Sequence, residues 1–374
     1  RLRHSVDEPF VLERGPLFRA ELLKLAVDDH LLLLSAHHLV CDGWSWWVMV
    51  RELGALYAQQ LGQGGGVDGP LCSYADYALG EAGHADSEQL REDEQYWLSR
   101  FPDQVAALDL PVDRPRPGRR SFASRREDYV LDAELVAALR KFGARRGASL
   151  FATLLAGFGA VVSRISGQRD VVVGIPAAGQ SVDGHDSLVG HCVNLLPLRF
   201  DVDPAAGFSS LLDQSRENLL DAIEHQRYTF GTLLKKIDVS RDPSRLPLVS
   251  VMFNIDQALD QEREVFPGLA LEFTTNPRSA ENFELSINAV QAAGELRLEC
   301  QYNSHLFEAA TVRRWLSAYE QLLRGAVHSG DAAVSRLQLV DVAARMDLAA
   351  LQPAPEPFPG ERLMHEFFEQ TCDR

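Results

Sequence analysis

Cysteine is scarce and scattered: Cys41, Cys72, Cys192, Cys300 and Cys372 are five in 374 residues, far apart and odd in number, with no Cys-x-x-Cys pair and no zinc-type spacing. That pattern argues against a disulfide framework and a structural zinc, and reduced thiols in a cytoplasmic protein are expected. Long apolar runs are missing too. Residues 31–34 and 171–173 are strand-length, far short of the ~20 residues a membrane helix needs, so a soluble protein with no membrane partner is expected. Positive charge is in deficit, 37 Lys and Arg against 53 Asp and Glu for a formal net charge of −16. The one short basic stretch, residues 114–120, is too small to track a phosphate backbone, so nucleic acid is not an expected partner. No Gly-x-Gly-x-x-Gly or Gly-x-x-x-x-Gly-Lys-Ser/Thr loop follows an apolar run, and no repeat of fixed period occurs. A signal-peptide pattern is absent as well, and the chain opens on Arg-Leu-Arg, so a piece of a longer protein is expected.

What is present is enough for a core. Apolar residues make up 46% of the chain, and because single cores rarely grow beyond about 250–300 residues, two lobes are expected. Two apolar runs in residues 17–36 flank Asp28-Asp29, which predicts a hairpin whose second strand ends in His37-His38. After Asp42-Gly43 the period changes: Trp46, Val50, Leu53 and Tyr57 recur at helical spacing until the glycine cluster of residues 62–69. That cluster is the first candidate lobe boundary, and residues 111–118 form a second linker. Further on, Asp132 and Ser149 are placed to cap helices carrying Leu135, Leu139 and Phe142, and Phe151, Leu155 and Phe158, with Gly167 ending the second. Strands are expected over 170–175, 248–255 and 296–302, and a helix over 208–223. Helices and strands alternate irregularly, which favours an α+β fold over a nucleotide-binding one.

The chemistry concentrates in His37-His38-Leu-Val-Cys-Asp42-Gly43-Trp44. A histidine at a strand end titrates near neutrality and can take a proton from an attacking amine and pass it on. Adjacent strand residues point to opposite faces, so only one histidine of the pair can face a substrate, and His38 suits that role. For His37 a structural position is expected. Asp42, one tight turn later, either orients the imidazole or is tied off by a buried arginine; the second role is preferred. Gly43 permits a backbone conformation that other residues resist, or a close approach. Trp44, Trp46 and Trp47 add bulk. No metal is expected, since a metal site needs donors converging from one face.

His37 to Ser45 resembles the histidine motif of the condensation domains of nonribosomal peptide synthetases. Four further segments resemble that family's motifs in order: Ser73-Tyr-Ala-Asp-Tyr-Ala78, Val189-Gly-His-Cys-Val-Asn-Leu-Leu-Pro-Leu-Arg199, His225-Gln-Arg-Tyr-Thr-Phe230 and Arg241-Asp-Pro-Ser-Arg-Leu-Pro-Leu248. The resemblance implies a chloramphenicol acetyltransferase-like, two-lobe pseudo-dimer with a central tunnel. Residues 1–70 would be the remnant of the N-terminal lobe, lacking the family's opening segment, and 71–347 the C-terminal lobe. Residues 348–374 would be a linker and the start of an adenylation domain, because residues 358–368 are similar to that domain's opening.

It also implies the reaction, amide formation between a donor acyl or peptidyl thioester and an acceptor aminoacyl thioester. Both substrates would ride on the phosphopantetheine arms of upstream and downstream carrier domains, and no cofactor would be bound by the domain itself. By the same resemblance His38 is the catalytic histidine, Asp42 is structural, and Arg199 is the arginine expected to pair with it. Asn194 lines the tunnel or is structural, and Trp44 lines the tunnel. The acceptor amine, with an ordinary pKa near 7.7–8.0, is partly neutral unaided, so base and positioning roles for His38 both remain open. His38 in its protonated form or a backbone N–H near Gly43 could serve the oxyanion. An epimerization domain and a non-catalytic recruiting domain of the same fold are the alternatives; heterocyclization is disfavoured because that variant carries aspartates in place of the histidines. Residues 41–46 and 190–194 resemble a branch found beside polyketide modules, which implies a polyketide or fatty acyl donor.

Overall fold

The computed structural model describes residues 8–64, 66–67, 73–181, 184–256, 265–276, 278–292, 294–351 and 363–373. Cys72, residues 65 and 68–70 of the expected connector, and residues 352–362 lie outside them. The chain divides into two compact units, Arg1–Leu339 and Val340–Arg374. The second contains helices Val342–Ala350 and Met364–Cys372.

In the first unit the predicted hairpin is present. Strands β1 (Phe18–Lys24) and β2 (His30–Ala36) pair antiparallel, with Phe18 opposite Ala36 and Lys24 opposite His30, and the turn closes where Leu25 and Ala26 donate to the carbonyl of Asp29. β2 ends at Ala36, so His37 and His38 stand just past the strand. Helix α1 (Gly43–Gln60) follows, started by a reciprocal cap in which Asp42 accepts from the Ser45 N–H and Ser45 accepts from the Asp42 N–H.

The hairpin buries little. Among its described residues Leu33 is buried, whereas Leu22 and Val27 are 69% and 87% exposed. A two-stranded ribbon has marginal stability of its own. Hydrogen exchange on the 374-residue chain is expected to leave β2 close to local fraying, on the order of 5 kcal/mol or more below the protection of the central strands. Equal protection in β2 and the core strands would contradict this.

Helices α2 (Tyr74–Gly83) and α3 (Glu88–Arg100) lead to a six-stranded mixed sheet. Its strands are β3 (Ser124–Leu131), β4 (Asp170–Ala178), β5 (Val193–Asp201), β6 (Val251–Asp256), β7 (Leu285–Ala292) and β8 (Glu295–Asn303), in the order β3-β8-β7-β6-β4-β5. β6 runs parallel to both its neighbours and the other pairings are antiparallel.

Helices α4 (Ala133–Ala144), α5 (Leu150–Ser166), α6 (Phe208–Glu224) and α8 (Ala309–His328) pack with this sheet, and the short α7 (Phe230–Lys236) sits against α3 and β5. Asp132 and Ser149 cap α4 and α5, and Gly167 closes α5 at φ +72°, all as their residue types predict. Helix α5 is buried on every side from Ala152 to Ser163, with the Phe158 ring 5.2 Å from that of Phe253 on β6. A helix apolar all round must be enclosed, which makes α5 the axis of the core. Gly157 lets α8 approach, since a Cβ there would lie 2.5 Å from Leu323. No described helix is long and apolar enough to cross a membrane.

Candidate active site

The site assembles around a buried carboxylate. Asp42 is 2% exposed. Its Oδ1 accepts from the Ser45 N–H at 2.9 Å and lies 2.8 Å from the Ser45 hydroxyl; its Oδ2 accepts from Gln180 Nε2 at 2.8 Å and from the Cys192 N–H at 3.0 Å. The Ser45 hydroxyl in turn accepts from the Gly190 N–H at 3.0 Å and lies 2.9 Å from the Gly190 carbonyl. Trp44 donates its indole N–H to the carbonyl of Asp186 at 3.1 Å. The start of α1 is thus stapled to the 3₁₀ turn Gly179–Ser181 after β4 and to the loop that enters β5.

That staple brings two imidazoles together. His38 Nδ1 lies 3.1 Å from Nδ1 of His191, the rings meeting edge to face with centroids 4.8 Å apart. The His38 ring is exposed. His37 takes another direction: its Nδ1 accepts from the Leu39 N–H at 3.1 Å and its ring meets Phe10.

Helix α2 supports the loop from behind. Tyr74 donates to the His191 carbonyl at 3.0 Å, and a Cβ on Gly190 would lie 2.3 Å from the Tyr74 ring. A Cβ on Gly179 would lie 2.6 Å from the Tyr77 hydroxyl. These close approaches account for the glycines at 179 and 190 and for both tyrosines of the segment at 73–78.

Burial pushes the His191 imidazole below its ordinary pKa, and the neighbouring His38 adds to the shift while Asp42 opposes it. Burial and the charge of Asp42 push the thiols of Cys41 and Cys192 up to about 12. Both stay protonated near neutrality, so neither is the nucleophile of a cysteine-histidine pair.

Two expectations require correction, and for Asn194 one of two alternatives is favoured. Arg199 does not pair with Asp42. It makes a two-pronged ion pair with Asp170, at 2.9 and 2.7 Å, and donates to the Arg100 carbonyl at 3.1 Å. The register explains it: Arg199 lies opposite Val172 and Asp201 opposite Asp170, so Arg199 and Asp170 are diagonal neighbours on one face of the sheet. Arg199 is also seven residues along an extended strand from Cys192, roughly 23 Å, while the Asp42 carboxylate is already fully engaged.

Gly43 is the first residue of α1 and holds no positive φ, so the conformational reason for a glycine fails; among the described residues, its chain neighbours and own helix backbone aside, no atom lies within 4 Å of its would-be Cβ. Asn194 makes bonds that favour its structural alternative. It donates to the carbonyls of Gln226 and Tyr228 at 2.8 and 2.9 Å and accepts from the Phe230 N–H at 3.1 Å, which anchors residues 226–230.

His191 is a site residue beyond those expected, although it sits inside the motif at 189–199. Nothing local marks a lone histidine as the partner of one 153 positions earlier. A cavity of about 450 Å³ lined by Arg114, Arg125, Tyr302 and His305 lies elsewhere, at the start of α8, and His38 takes no part in it.

An exposed imidazole held at one ring nitrogen can take up a proton and return it at the other. The chain belongs to the condensation domain family, whose model it matches over residues 2–349. The general reaction of that family is peptide-bond formation. The chain is similar to bacitracin synthase 1 of Bacillus licheniformis, with 33% identity over 336 residues, 90% of this chain and 6% of that protein. It spans only a small part of the length of the curated relatives it matches. Among solved structures it resembles a four-domain nonribosomal peptide synthetase bound to AMP and glycine, at TM-score 0.80 and 18% identity over 98% of this chain and 29% of the other. It also resembles the X-domain in a complex with OxyB from teicoplanin biosynthesis, at TM-score 0.78 and 21% identity over 91% and 77%. At these identities the likeness is one of fold, the chloramphenicol acetyltransferase-like α+β fold.

Proposed function

We propose that this chain joins a donor acyl or peptidyl thioester to an acceptor aminoacyl thioester, both carried on phosphopantetheine arms, through an amide bond. The acceptor amine attacks the donor carbonyl and loses a proton to His38. The tetrahedral intermediate collapses, the carbon–sulfur bond breaks, and His38 returns the proton to the leaving thiolate, so the donor arm is released as a free thiol. The observation that carries this reading is the exposed His38 ring, held at Nδ1 and with no described partner at Nε2. The partners of the reaction are carrier domains on either side and an adenylation domain of the same protein. The donor class includes polyketide and fatty acyl groups.

An epimerization domain would use the same histidine to exchange a substrate's α-proton. Carrier domains loaded with donor and acceptor and mixed with the parent module distinguish the two. Growth of the acceptor-bound chain by the donor acyl group is expected, and its absence would refute the proposal.

A further inference from the structure

We propose that His191 is a positioning residue for His38: its Nδ1 accepts the Nδ1–H of His38, which keeps His38 in the tautomer whose Nε2 lone pair faces the substrate. The inference deepens the reading of His38 as the base and rests on it. The geometry sets the constraint. Two ring nitrogens 3.1 Å apart can hold one proton between them and not two, so the facing pair never carries a full charge on both rings. The ring that is charged must be the donor.

Which ring that is follows from the surroundings. His191 sits on the inner loop, part-buried between the Asp42 staple and Tyr74, and His38 is exposed. Burial disfavours the charged form of His191, so the proton arriving during the reaction stays on His38. The imidazolium then formed on His38 is met by a lone pair rather than by a second N–H. Here a neutral imidazole takes the orienting place that a carboxylate fills in a catalytic triad.

Titratable groups near the pair include Asp42 and His37 from the segment of His38, Cys41, Cys192, Tyr74, Tyr77 and Glu81 from α2, and His185 and Asp186 from the loop before β5. Asp42 spends its oxygens on Ser45, Gln180 and Cys192. Cys41, Cys192, Tyr74 and Tyr77 all have raised pKa values, so they stay neutral across about pH 5 to 8. His37 bonds within its own turn.

The test is a ¹⁵N spectrum of the histidine rings in the whole 374-residue chain, with His38 assigned by its loss in His38→Gln. Neutral His38 is expected to be protonated at Nδ1, the tautomer that is rarer in free histidine. In His191→Phe it should revert to Nε2–H, and in His191→Asn, whose side-chain carbonyl can accept, the Nδ1–H form should be restored. The bonds made by the main chain at 191 and 192 remain in all three. In the parent module, His191→Phe is expected to lower kcat by roughly tenfold or more with KM little changed, and His191→Asp to raise the pH at which activity appears. His38 protonated at Nε2 in the unmutated chain, whatever the variants do, would overturn the proposal. The expected tautomer in a chain that forms no amide would support the pairing and refute the proposed function.

Discussion

Replacing His38 with alanine is expected to lower single-turnover amide formation by roughly 10²- to 10⁴-fold, the usual contribution of a positioned general base. The fold should not change. The His38 ring is exposed, its described hydrogen bond goes to His191, and the staple beneath it runs through Asp42 and Ser45 instead. Substitutions of this kind move stability by about 0.5 kcal/mol or less, so the melting temperature should match that of the parent. Near-native turnover by a folded His38→Ala protein would remove this residue from the mechanism.

The opposite signature is expected for Asp42→Ala. Deleting the carboxylate leaves the N–H groups of Ser45 and Cys192 and the amide of Gln180 without an acceptor in a buried site, and it removes the cap of α1. One unmet buried donor costs about 1–3 kcal/mol and the cap about 1 more, so a loss of at least roughly 2–4 kcal/mol is expected. The midpoint of denaturant unfolding should fall accordingly. Activity should fall with it, because the loop carrying His191 loses its tie to α1. An Asp42→Ala protein that unfolds at the normal denaturant concentration yet forms no amide would show that the carboxylate acts on the chemistry directly.

Much of the frame was legible because local signals agreed with the fold. Residues 17–60 change from a strand period to a helix period at Asp42, and the caps at Asp132, Ser149 and Gly167 stand where their residue types predict. Strand β3 was hidden by Arg125, Arg126, Glu127 and Asp128, which are acceptable because β3 is an edge strand paired on one side. Helix α8 is not hidden: Val312, Leu316, Tyr319, Leu323 and Ala326 repeat at helical spacing.

The site was legible only in part. The motif marks His38 and Asp42, but the partners of Asp42 include a backbone N–H 150 positions away, a donor that every residue except proline possesses. The family resemblance pointed to Arg199 instead. That pairing failed because strand register, which sets the neighbours of Arg199, is a property of the folded sheet.

The most direct test of the central claim is the intact mass of the acceptor carrier after one turnover in D₂O, with donor and acceptor carriers loaded separately and mixed with the parent module. The account predicts a mass increase equal to the donor acyl group, no deuterium at the α-carbon of the acceptor, and loss of the product signal in His38→Ala. An acceptor that gains α-deuterium and no acyl group would contradict it.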